Sequence, residues 1–341
     1  MSQNDALLQT MLVKQNQILA KLNALTEDFA ASGNAVLDVF FEREFYRDFE
    51  TGDDFRERFL RLVKGLDQRS VETVVQCLQR VRKIRGCSDR YLSLYTAEEQ
   101  AEYRHMKEHF SRQILQLSGD CCFCDGWMLP KAAFEPSVFI DQCGFRHLRY
   151  PERTAGKAVI DAGAYIGDSA LLFSRLVDGP IHAFEPAADN YALMLKTLAL
   201  NDIEDRVIPR KMALGVEPGN ISLARSIVPS ANTQVKNSGV PYVGAETVPV
   251  VTLDDYVCEH RLNVGLIKID VEGAEQQLLR GAVETLRTMR PALLVSIYHN
   301  ASDFLDIKPM LEEMDLGYRF SIRHPAIGTV MTETMLIAEV D

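Results

Sequence analysis

The sequence predicts an α/β protein: a doubly wound, mostly parallel sheet with a reversed last strand, preceded by a helical N-terminal region. Three observations carry that expectation. From Lys157 onward, short β-branched apolar runs at 158–160, 181–184, 207–214, 264–269 and 292–298 alternate with stretches of helical periodicity. The chain then closes on Tyr318–His324 and Thr334–Val340, two strand-like runs without a helix between them, which places an antiparallel pair at one end of the sheet. Before residue 120, apolar positions recur at spacings of three and four.

Composition sets the outer bounds. The chain has 341 residues, 47% of them apolar and 25% charged, enough for a large core and unlike a disordered chain. A net charge of −11 argues against a nucleic-acid backbone as main partner. No apolar stretch approaches bilayer-spanning length, and Met1–Leu12 shows no secretory signal, so a cytoplasmic location is expected. Seven cysteines, an odd number, fit reduced thiols.

Taken in order, residues 1–31 read as an amphipathic helix on which Leu8, Met11, Leu12, Ile18, Leu19, Leu22, Leu25 and Phe29 form a seam, interrupted by Gln15. That seam suits a homo-oligomer through coiled-coil pairing, or packing on its own domain. Residues 32–120 are expected to form a helical domain: Ala35–Phe49, Phe55–Val63 after the break at Gly52-Asp53-Asp54, Leu66–Ile84 ending at Gly86, and a helix from the Thr96/Glu99 capping box to about Leu117. Residues 121–154 form a small β linker. Its Cys121-Cys122-Phe123-Cys124 reads as hairpin thiols rather than a zinc site, because no second CxxC or histidine pair lies at ribbon spacing. Residues 155–341 are the α/β domain, with a polar insertion or active-site loop at 217–249.

Its opening strand, turn and helix run VIDAGAYIGDSALLFSRL (159–176), followed by the strand Ile181–Phe184 and Glu185. This is half of a nucleotide-binding βαβ unit, with an acid placed to reach ribose hydroxyls. A dinucleotide site wants G-x-G-x-x-G, so that a pyrophosphate sits on the helix N-terminus. Here Asp161, Gly163 and Gly167 give the wrong spacing and a carboxylate that would repel a pyrophosphate, which weakens a NAD-dependent oxidoreductase reading. The same carboxylate suits a ligand with a cationic end, such as the sulfonium and ammonium of S-adenosylmethionine.

Together with AFEP (183–186), ALG (213–215), TLDDY (252–256) and IKIDVEGAE (267–275), this stretch resembles the FkbM-type S-adenosylmethionine-dependent methyltransferases over about residues 155–341. The resemblance implies a Rossmann-like, seven-stranded class I methyltransferase sheet and O-methylation of a small-molecule or glycan hydroxyl, as in polysaccharide or natural-product assembly. It further implies that Asp161, Gly163, Tyr165, Gly167 and Asp168 surround the methionine end of the cofactor. By the same carry-over Glu185 takes the ribose, and Ala213 lies near the adenine.

The acceptor side belongs at the carboxyl ends of the fourth and fifth strands, near Asp270, Glu272, Glu275, His299 and Asn300. His299 is the first choice for a base, with Asp270 as second base or orienter and Glu272 beside them. Alternatively Asp270, Glu272 and His299 bind Mg²⁺ or another divalent ion that acidifies the hydroxyl. Glu275 also reads as a helix N-terminal acid, and Lys268, inside an apolar strand, as half of a buried ion pair. A rival of another class is an inactive methyltransferase-fold scaffold whose helical half recruits partners.

Overall fold

The computed structural model describes residues 37–38, 46, 54–87, 91–226 and 242–341. The N-terminal amphipathic stretch at 1–31, with its coiled-coil reading, lies outside them.

Seven strands form the central sheet: β1 Ala158–Ala162, β2 Ile181–Phe184, β3 Val207–Arg210, β4 Val264–Ile269, β5 Ala292–Ser296, β6 Tyr318–Arg323 and β7 Met335–Val340. Their spatial order is β6-β7-β5-β4-β1-β2-β3, and β1 to β5 are mutually parallel. β7 runs antiparallel to both β5 and β6, as the missing helix between the last two strands requires. β1 and β4 are buried at every position, which is why their sequences are near-continuous apolar runs. Only Asp161 and Lys268 interrupt those runs, and they are register partners across the β1–β4 pair.

Strand order reverses between β1 and β4, so a crevice opens beyond their carboxyl ends. Helices Asp168–Leu176 and Ala188–Leu200 follow β1 and β2. Leu253–His260 leads into β4, with Thr252 Oγ1 accepting a bond from Asp255 N (3.0 Å) as its cap. After β4 come two short helices, Glu275–Arg280 and Val283–Met289. Gly281 lies between the two pieces, where a Cβ would meet Gly215 O at 2.0 Å. The helix after β5 starts at Ala301, where Asn300 Oδ1 caps it by accepting from Asp303 N (2.8 Å).

Three expectations change. The run at 207–214 divides into β3 and a short piece, Ala213–Leu214, which pairs with the hairpin Gly219–Ser226/Tyr242–Val251. The described parts of the polar insertion, up to Ser226 and from Tyr242, are therefore mostly the two strands of this hairpin. The capping box of Thr96 and Glu99 is present, and the α-helix it opens runs to His105 and continues as a π turn over Met106–Phe110 and a 3-10 turn over Ser111–Gln113, but Leu115–Ser118 is a strand paired with Cys121–Cys124 and, through it, with Trp127–Leu129. Leu115 and Leu117 alternate ahead of the Gly119-Asp120 turn, so the strand period wins there. Leu37–Asp38, expected in a helix, pairs with Tyr91–Leu92.

The helical region also does not keep a core to itself. Leu62, Val74, Val81 and Ile84 belong to one apolar cluster with Phe304, Leu311, Ile322 and Leu336. Arg58 clasps Asp306 with two bonds (3.0 and 2.8 Å), and Ser70 Oγ accepts from Ile322 N (2.9 Å). Helices Phe55–Val63 and Gln68–Arg85 thus pack as a layer on the β6 side of the domain. The seven cysteines are free thiols, and Cys122 and Cys124 are buried in the hairpin.

Candidate active site

The turn after β1 is shaped first by its neighbour strand. Gly163 has φ +78°, and a Cβ there would lie 1.7 Å from Asp270 O. Asp270 N in turn donates to Ala162 O (3.0 Å), so the carboxyl ends of β1 and β4 are stitched together at this point. Tyr165 follows with φ +47°, its N–H donating to Glu185 Oε2 (3.0 Å). Glu185 Oε1 accepts from Ala187 N (2.8 Å). The acid that sequence reasoning gives to a ribose therefore also holds the glycine turn. Burial pushes its carboxyl up to about 7 despite those two donors.

Asp168 opens the next helix, is 4% exposed, and accepts from Ser169 N (2.9 Å). Burial raises its carboxyl to about 7, against the pull of Lys268. Gly163, Tyr165, Asp168, Glu185 and Ala213 all line one cavity of about 570 Å³.

Asp161 and Gly167 do not line it. Asp161 is fully buried behind the wall, where Oδ2 accepts from Ser169 Oγ (2.7 Å) and Oδ1 lies 3.3 Å from Lys268 Nζ. Gly167, at φ +84°, lets this turn close on the helix after β2, since a Cβ would meet Met194 Cγ at 2.9 Å. Their positions make them supports of the site rather than its surface. Lys268 Nζ donates to Gly163 O (2.7 Å). Burial opposes its charge, yet Asp161 and Asp270 raise its pKa above that of an ordinary lysine, so the buried ion pair expected from the sequence is present.

Beyond the ends of β4 and β5, Asp270 and Glu272 line the same cavity, and His299 does not. The imidazole side chain is 5% exposed. Nδ1 lies 2.9 Å from Glu275 Oε1, and Nε2 lies 3.5 Å from Asp270 Oδ1 and 3.7 Å from Glu272 Oε2. Burial alone would lower its pKa, but Glu275, then Asp270 and Glu272, push it up to about 10. A ring that already carries a proton at neutral pH is an ion-pair partner of Glu275 and a poor acceptor of a further proton. Glu275, fully buried and accepting from Val271 N (2.9 Å), is held below the usual carboxylate range: burial opposes this, and His299 more than offsets it.

The expected metal trio shifts as well. The donor atoms that converge, within 4.8 Å of one another, belong to Asp270, Glu275 and His299; Glu272 is exposed and outside that set. Since the imidazolium neutralises these carboxylates, an ion at that place would have to displace its proton.

Two residues of this wall escaped sequence reasoning. The Tyr298 hydroxyl lies 3.5 Å from Asp270 Oδ1 and 3.3 Å from Glu333 Oε1. Glu333 has φ +70°, and burial, with Asp270 and Glu135 nearby, pushes its carboxyl up to about 8. A signal for Glu333 was available. A reversed strand brings its beginning, not its end, to the crevice, and Glu333 precedes β7.

Residues 161–320 match the family model described as the methyltransferase FkbM domain. Over those residues the chain is similar to FkbM-type methyltransferase domains. The chain is 31% identical over 178 residues to the 31-O-demethyl-FK506 methyltransferase FkbM of Streptomyces tacrolimicus, covering 42% of this chain and 65% of that protein. It is 28% identical over 162 residues to the hexuronic acid methyltransferase AglP of Haloferax volcanii, covering 46% and 62%. A crystal structure of a methyltransferase FkbM from Methylobacillus flagellatus aligns over 84% of this chain and 60% of its own, with a TM-score of 0.52 at 19% identity. That likeness concerns the fold alone, and this chain spans less than two thirds of each of the three proteins. The matched residues run from the end of β1 through β2, β3, β4 and β5 to the start of β6. The matched residues begin only at Asp161, so the helical layer and the hairpin at 115–129 lie before them.

Proposed function

We propose that this chain transfers a methyl group from S-adenosylmethionine to a hydroxyl of a sugar or other small molecule. The observation that carries the reading is one shared cavity: its one side is the Gly163–Tyr165 turn braced by Glu185, and its other is Asp270, Tyr298 and Glu333. The donor set fits this cofactor. A wall with Asp168 and Glu185 suits a cationic ligand with ribose hydroxyls, and among the described lining residues it offers no cluster of positive charge to a pyrophosphate. The name of one relative, a 31-O-demethyl-FK506 methyltransferase, supports an oxygen acceptor, and that of the other, a hexuronic acid methyltransferase, supports a sugar.

When bound, the cofactor supplies an electrophilic methyl group. The chain's residues provide position and proton acceptance. Glu185 and Asp168 hold the donor side, and holding two reactants in line supplies much of the rate acceleration in such a transfer. Asp270, at the end of β4 between the two sides, is the carboxylate placed to orient the acceptor hydroxyl and take its proton. His299 and Glu275 fix the Asp270 side electrostatically without leaving the protein interior. The test is calorimetry with S-adenosylhomocysteine. Micromolar binding, weakened at least about tenfold in Glu185→Ala, supports the reading, whereas absence of binding at millimolar ligand defeats it.

A further inference from the structure

The acceptor side of the cavity is acidic to a degree that methyl transfer does not require. Asp270, Glu272, Glu333 and Glu135 all line it, and Lys268 is the one lysine or arginine among the described lining residues. That ammonium is committed to Gly163 O and Asp161. His299 stands against Asp270 and Glu272 at 3.5 and 3.7 Å, and no ion pair with Glu333 is present among the described residues. Tyr298 has one hydroxyl proton for two carboxylates, so Asp270 and Glu333 cannot both receive it. Ser137 also bears on Glu333, as a neutral hydroxyl.

We infer that the acceptor carries an ammonium group beside the hydroxyl to be methylated, as an amino sugar does, and that Glu333 holds that ammonium while Asp270 faces the hydroxyl. The inference rests on the methyltransferase reading and names the class of substrate for the same cavity. An acceptor bearing a carboxylate or phosphate at this wall would meet Glu135, Glu272 and Glu333, and Lys268, the one lysine or arginine among the described lining residues, is already engaged. A neutral polyol would satisfy hydrogen bonds but give Glu333, whose carboxyl is pushed up to about 8, no opposite charge against which to ionise. An ammonium supplies three donors and the missing positive charge. The partly closed cavity strengthens that attraction, because water competes less within it.

The test compares D-glucosamine, N-acetylglucosamine and glucuronate as ligands of the full chain saturated with S-adenosylhomocysteine, by calorimetry or saturation-transfer NMR. The inference expects glucosamine to bind at least tenfold more tightly than either of the others. It also expects Glu333→Gln to abolish that advantage without changing homocysteine-ligand affinity. Equal binding of the three sugars, no binding of glucosamine, or an advantage that survives Glu333→Gln overturns it. Should Glu333→Gln melt abnormally early, Glu272→Gln at the exposed edge of the same wall must reduce the advantage instead. Failure of the unmodified protein to bind S-adenosylhomocysteine would strike the methyltransferase reading alone. The sugar preference is then measured on the ligand-free chain, with the same outcomes deciding it.

Discussion

Lys268 Nζ donates to the carbonyl of Gly163 at 2.7 Å, so a charge in the middle of β4 holds the ligand-facing turn after β1. The same ammonium lies 3.3 Å from Asp161, its cross-strand register partner. Removing one member of such a buried pair strands the other in a medium that cannot solvate it. Lys268→Met should therefore cost about 3–5 kcal/mol, read as a lowered denaturant midpoint. Adding Asp161→Asn should recover part of that loss, since the two sites share one interaction. A near-neutral Lys268→Met with unchanged ligand affinity would remove the pair from any structural role.

Gly163 is a second point where geometry leaves no latitude. Its φ of +78° is unfavourable for any side chain, and a Cβ would stand 1.7 Å from Asp270 O. Strand β4 or the turn must move in Gly163→Ala. The expected result is a loss of at least about 2 kcal/mol in unfolding free energy together with loss of cofactor binding. Gly86→Ala, with nothing within 4 Å of its added Cβ, is the control and should melt like the unmodified protein.

For His299 the pH sign is definite. Its folded pKa of about 10 lies above the ordinary value of 6.5, so its stabilising contribution is fully present below about 6.5 and lost as pH rises through about 10. NMR titration of the ring should show a midpoint well above 8. Two consequences follow for kinetics: the acid limb of a pH–rate profile should survive in His299→Gln, and that variant should lose alkaline dependence of stability. A ring midpoint near 6.5 would restore His299 as a base.

Much of the sheet was legible because strand and helix periods alternate cleanly after residue 157 and because Asp161 and Lys268 stand out in apolar strands. Glu185 was legible by its place at the end of β2. What escaped was nonlocal. Nothing in the local pattern of Glu275 tells that His299, from the next strand's end, neutralises it. Asp161 looked like a ligand contact because an acid at a glycine turn has two possible directions, and only the register with Lys268 sends it inward. The helix expected through Leu117 failed where two leucines two apart satisfied a strand as well as a helix. The helices at 55–85 carry apolar faces whose partner, the β6 side of the sheet, no periodicity identifies.

The carboxyls of Asp168 and Glu185 connect the acid-lined wall to a measurement on the donor side. Both are raised to about 7 by burial, so the folded chain binds more protons than the unfolded chain from about pH 4 up to about 7. Their contribution to stability accordingly falls as pH rises through that window. A cation bound beside them favours the ionised forms and lowers both pKa values, which releases protons. At pH 7, where each is about half protonated, binding of S-adenosylmethionine should release up to about one proton. Calorimetry in phosphate and in Tris, whose ionisation heats differ, reads that number directly. S-adenosylhomocysteine lacks the sulfonium and should release fewer, Asp168→Asn should remove its share, and at pH 9 release should vanish because both groups are already ionised. Equal release by the two ligands would place the sulfonium away from Asp168.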